Sequence, residues 1–157
     1  MWPFSANLSL VVSDPTAVYR GHVGASRLPI TDHVRIALVD DDPSIRRGVA
    51  RLLELNGLRV TTFGSAEALL VGAPGSAFDC LVLDVHLPGL SGPECYSDLR
   101  ARGGAPPAVF ITAHEVSETR QIIEHVGPAT CPRKPFRGQQ LLDAIRRALT
   151  PAGAIRS

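Results

Sequence analysis

Four short strand-like runs in this chain each stop at a residue able to do chemistry. VRIALV ends at Asp40, Asp41 and Asp42; CLVL ends at Asp84; AVFI ends at Thr112; and ATCPR ends at Lys134. Carboxylates gathered in one crevice repel one another and raise at least one pKa unless a cation neutralises them. An all-oxygen donor set of this size suits a hard ion, and Mg²⁺ takes one or two carboxylates while keeping waters and substrate oxygens. An aspartate alone attacks phosphorus poorly, because both partners are anionic. A metal and a neighbouring lysine cancel that repulsion and stabilise charge on the transferring group.

Roles follow from residue type. Asp41 is expected to ligate Mg²⁺ directly, and Asp40 to bind it through water or to hold the site. Asp84 is expected to be both ligand and nucleophile, with the backbone carbonyl of His86 offered to the metal. Thr112 would hydrogen-bond a phosphoryl oxygen, Ala113 would leave room for that group, and Lys134 would pair first with Asp84 and then with the phosphoryl. Taken singly, each residue has a plainer explanation. An acid triplet is commonly a helix cap or a solvated loop, Asp84 can be a turn acid, and Lys134 a surface lysine. The signal is their coincidence at the ends of different runs.

The intervening sequence predicts the elements that would bring them together. After the acids, PSIRRGVARLLELNG puts Ile45, Val49, Leu52 and Leu53 on one helical face. Pro43 falls in its first turn and Gly57 just past its end, as helix termini favour. LRVTTF reads as a second strand, SAEALLV as a short helix opened by Ser65, and DCLVLDV as a third strand. PECYSDLRAR is a third helix, AVFIT a fourth strand, HEVSETRQIIEHV a fourth helix, ATCPR a short fifth strand and GQQLLDAIRRAL a last helix. Strand and helix alternate five times with connections too long for hairpins, which predicts a doubly wound α/β domain with a parallel sheet covered on both faces. Pro132 would remove a ladder donor, placing the fifth strand at an edge. Ligands of such folds sit beyond the carboxyl ends of the strands, where all the candidate residues fall.

Bulk properties agree. The 157 residues suit one domain, at 45% hydrophobic and 20% charged. A formal charge of +1 gives no reason to expect nucleic-acid binding. Cys80, Cys95 and Cys131 are odd in number and widely spaced, which suits a reducing cytoplasm rather than a disulfide framework or zinc site. Cys80, inside a strand-like run, reads as a small buried hydrophobe. No stretch reaches the ~20 apolar residues of a membrane span, and MWPFSANLSLVV lacks the basic start of a signal peptide. The expected division is a flexible leader over 1–33, one domain over 34–150 and a tail over 151–157.

Taken jointly, VDDDPS at 39–44, LVLDVHLPGLSG at 81–92, FITA at 110–113 and RKPF at 133–136 resemble the receiver domain of bacterial response regulators. The resemblance implies a flavodoxin-like five-stranded sheet of order 2-1-3-4-5. It also implies Mg²⁺-dependent transfer of a phosphoryl group to Asp84 from a sensor histidine kinase or phosphotransfer protein, in the cytoplasm. Receivers dock that donor on the first helix, here near Ser44, Arg47 and Gly48. The Lys134–Pro135 bond is often cis in the family.

Two departures stand out. Receivers usually carry Tyr or Phe three residues before the lysine; Cys131 stands there, so signalling is expected to depend on the loop after the fourth strand and on the fourth helix. His86 and His114, two positions after Asp84 and Thr112, are either exposed loop residues or groups that tune loss of the phosphoryl. The expected product is a stand-alone, non-enzymatic regulator acting on a downstream protein, with a homodimer through the fourth helix, fifth strand and last helix as a further expectation. The alternatives are the N-terminal receiver of a longer DNA-binding transcriptional regulator, or an Mg²⁺-dependent aspartyl phosphatase. The phosphatase would need a second acid where His86 stands. A flavodoxin is disfavoured, because three acids occupy the place of its phosphate-cradling loop.

Overall fold

The computed structural model describes residues 33–113 and 134–150. Strand β1 (Arg35–Val39) leads into helix α1 (Pro43–Leu55), then β2 (Arg59–Phe63), α2 (Ala66–Gly72), a short 3-10 turn (Gly75–Ala77), β3 (Cys80–Asp84), α3 (Gly92–Ala101), β4 (Ala108–Ile111) and a C-terminal helix (Gly138–Leu149). All strand pairs are parallel, in the order β2-β1-β3-β4. The doubly wound α/β architecture is therefore the one expected, with four strands among the described residues. The expected fourth helix and fifth strand, including His114, Cys131 and Pro132, lie outside the described residues, as do residues 1–32 and the tail 151–157.

The strands are continuous apolar runs because both faces of the sheet are covered. Ile36 and Leu38 of β1 face one way, with Cys80, Val82, Val109 and Ile111, against Val49, Leu52 and Leu53 of α1 and Leu141, Leu142 and Ile145 of the C-terminal helix. Ala37 and Val39 face the other way, with Leu81, Leu83 and Phe110, against Ala66 and Leu69 of α2 and Cys95 and Leu99 of α3. The period of two along each strand thus feeds two cores rather than one. Each fully buried leucine contributes on the order of 2 kcal/mol.

Helix ends match their sequence signals. Asp42 caps α1 by accepting from the Ser44 and Ile45 amides at 2.8 and 3.4 Å. Gly57 takes φ +84° just beyond α1, a conformation that side chains with a Cβ resist. Ser65 caps α2, and Ser91 and Glu94 form a reciprocal capping box on α3. No helix among the described residues is long and apolar enough to cross a membrane.

Candidate functional site

The C-terminal ends of β1, β3 and β4 open on one rim, which brings the acids of β1 and β3 together. Asp40, Asp41 and Asp84 each offer a carboxylate oxygen, and these oxygens lie within 4.8 Å of one another. Asp40 and Asp84 are buried and Asp41 is exposed. Asp42, the third acid of the run, turns away to cap α1.

Lys134 reaches the same rim from the chain that follows β4. Its Nζ donates to Asp40 Oδ2 at 2.8 Å and to Asp84 Oδ2 at 2.9 Å, with all three side chains almost fully buried. The pairing with Asp84 was expected; the simultaneous bond to Asp40 was not. Lys134 is placed by its own backbone: its N–H donates to the Thr112 carbonyl at 2.6 Å, just beyond β4. That bond also sets Thr112, fully buried, beside the lysine. The Lys134–Pro135 peptide is cis.

The second oxygens of the buried acids are held by backbone. Asp40 Oδ1 accepts the Asp42 amide at 2.9 Å, and Asp84 Oδ1 accepts the His86 amide at 3.0 Å. His86 thus meets the acceptor through its N–H, and its side chain is exposed. Arg46, one turn into α1, reaches back to the Asp40 carbonyl at 2.7 Å. Gly92 has a steric purpose: a Cβ there would stand 2.2 Å from the Asp84 carbonyl oxygen. The motif P-G-x-x-G shows a glycine at this position, but the close approach that requires it comes from the tertiary contact between α3 and β3.

Burial pushes the Asp40 carboxyl up, and Lys134 and the Asp42 amide recover only part of that shift. Burial alone would push Lys134 down, but its bonds to Asp40 and Asp84 and their charges outweigh it and hold the ammonium above its ordinary value. The upward shift of Asp40 thus comes first from its burial, with the neighbouring Asp84 charge adding the least to it. Three carboxylates against one ammonium leave an excess of two negative charges. An oxygen-only cluster with that excess fits a hard divalent cation.

Comparison with known proteins agrees with this arrangement. A family model of the response regulator receiver domain matches residues 36–146. Nodulation protein W of Bradyrhizobium diazoefficiens is 39% identical over 126 residues, covering 80% of this chain and 53% of that protein. Response regulator protein TmoT of Ectopseudomonas mendocina is 36% identical over 132 residues, covering 83% and 59%. The chain spans about half the length of these curated relatives. Among solved structures, the chemotaxis protein CheY4 of Vibrio cholerae has a TM-score of 0.69 at 29% identity, covering 74% of this chain and 98% of that one. A structure described as the BeF3-activated DrrB receiver domain has a TM-score of 0.65 at 32% identity, covering 74% and 97%. A parallel sheet with an acid cluster and a buried lysine at its carboxyl rim, matched over most of its length by one family model, places this chain in the response regulator receiver domain family.

Proposed function

We propose that this chain is a phosphoacceptor in a two-component system, with Asp84 as the residue that receives the phosphoryl group. The observation that carries the reading is the bridge from Lys134 to Asp84 and Asp40, set at the rim where Asp41 adds a third carboxylate. In this reading an Asp84 carboxylate oxygen forms the bond to phosphorus as the bond from phosphorus to the donor breaks. The donor is a sensor histidine kinase or a phosphotransfer protein. Lys134 follows the charge, passing from the carboxylate to the phosphoryl oxygens. Thr112 receives another of those oxygens, and exposed Ala113 leaves the approach open. Asp40, Asp41, Asp84 and the His86 carbonyl would hold Mg²⁺, which supplies positive charge against the incoming phosphoryl.

The chain would act by contact with other proteins rather than by turnover of a substrate. A phosphatase of the same rim chemistry needs a second acid two positions after the nucleophile, and His86 stands there. Receipt of phosphate in the cytoplasm follows from the same reading. The DrrB domain, described as activated by BeF3, supports a site that accepts a phosphoryl-like group.

A second reading of the output is favoured by one observation. Relatives matched over about half their length include proteins named as transcriptional regulators, such as FixJ of Azorhizobium caulinodans. In that reading the chain is the receiver part of a longer DNA-binding regulator, and the downstream coding sequence decides it. The acceptor chemistry is tested by adding beryllofluoride and Mg²⁺ and following bound fluoride by ¹⁹F NMR. A bound signal lost in Asp84→Ala supports the reading; its absence in the wild type overturns it.

A further inference from the structure

We propose that the outer edge of β2 is a docking site for an extended acidic peptide segment of a partner protein, which adds to the sheet as a further strand beside α1. This site lies beside the acid rim, sharing Arg47 with the helix face where receivers dock a phosphoryl donor, and its argument does not rest on the function proposed above.

β2 is the outermost strand on its side of the described sheet. Its pairing with β1 fixes which backbone groups look outward. The Arg59 amide donates to the Val34 carbonyl at 2.9 Å, and the Phe63 carbonyl accepts the Asp40 amide at 3.2 Å. In a parallel strand alternate residues bond to opposite sides, so the N–H and C=O of Val60 and Thr62 point away from β1. Among the described residues no strand or loop pairs with them. Such an edge is a ready template for a further strand.

A groove of about 470 Å³ runs along this edge, lined by Val60 and Thr62 of β2 and by Arg46, Arg47, Ala50, Arg51 and Glu54 of α1. The two strand residues lining it are the two whose backbone faces outward. Three arginines against one glutamate give the groove a net positive charge. Arg46 is engaged with the Asp40 carbonyl, whereas Arg47 and Arg51 are exposed. An added strand would turn alternate side chains toward α1. Carboxylates at those positions would meet Arg47 and Arg51, whose planar forks suit bidentate pairing, and the intervening side chains would face the other side of the sheet. A second copy of this chain is disfavoured, because edge-to-edge pairing would set these arginines against each other.

The test uses the full chain and a fluorescent, end-blocked octapeptide alternating glutamate with valine, at low salt. Expected results are saturable binding, amide shifts centred on Val60 and Thr62, and binding weaker by about ten-fold for the glutamine-for-glutamate peptide. The double variant Arg47→Glu, Arg51→Glu should lose the acidic peptide and gain a lysine–valine peptide. Thr62→Pro removes one outward donor while leaving the bonds to β1, a place where proline is tolerated, and should abolish binding with the fold intact by circular dichroism. Unchanged binding in both variants overturns the proposal. So does equal binding of a single-stranded oligonucleotide of the same charge with the same amide shifts. Self-association through these amides without peptide also overturns it.

Discussion

Single residues carry the central chemistry, and two of them give sharp expectations. Lys134→Ala would leave the buried carboxylates of Asp40 and Asp84 facing each other without their shared ammonium. Breaking a buried pair in this way costs about 3 kcal/mol, so thermal melting should drop well below wild type. Added Mg²⁺ should raise the melting temperature of the variant more than that of the wild type, because the cation replaces the missing charge. An equal effect of Mg²⁺ on both would argue against a cation site at these acids. Gly92→Ala would drive a Cβ against the Asp84 carbonyl at 2.2 Å. Either α3 or the β3 terminus must shift, at a cost of about 1–3 kcal/mol, and phosphorylation should slow more than the loss of stability alone predicts. Competition between acetyl phosphate labelling of variant and wild type at a temperature where both are folded would measure this.

At the scale of elements, β3 and α3 bury the two described cysteines, and that burial sets a dependence on pH. Burial pushes the Cys80 thiol up to about 12 and Cys95 up to about 11, from 9.0. The folded state thus holds these protons more tightly than the unfolded chain. Their contribution is complete below pH 9.0 and is lost progressively as the pH rises toward 11 and 12. Urea midpoints should therefore fall over that range, and less steeply in Cys80→Ala. At pH 8 both thiols should react with iodoacetamide far more slowly in the folded protein than in urea, as peptide mapping would show. The cap on α1 gives a simpler case: Asp42→Ala removes acceptance from the Ser44 and Ile45 amides and should cost about 1 kcal/mol.

The molecule as a whole shows what sequence can and cannot reveal. The alternation of strand and helix was legible because covering both faces of the sheet forces apolar strands, and because Pro43, Gly57 and Ser65 punctuate the helices. The rim residues were legible because each closes a strand-like run. Three features were not. The bond from Lys134 to Asp40 depends on the separation of strands that are distant in sequence. Arg46 reaching the Asp40 carbonyl looks, in sequence, like any exposed helical arginine. The outward-facing amides of Val60 and Thr62 follow from strand order, which spacing alone does not fix.

The claim that Asp84 accepts a phosphoryl group through its carboxylate is tested most directly by mapping the covalent adduct. The full chain is incubated with acetyl phosphate and Mg²⁺, the product is reduced with borohydride, and the modified residue is located by peptide mass spectrometry. The account predicts one Mg²⁺-dependent modification, at Asp84, absent from Asp84→Asn and strongly reduced in Lys134→Ala. Modification at another residue, or none in a folded protein supplied with Mg²⁺, would contradict it.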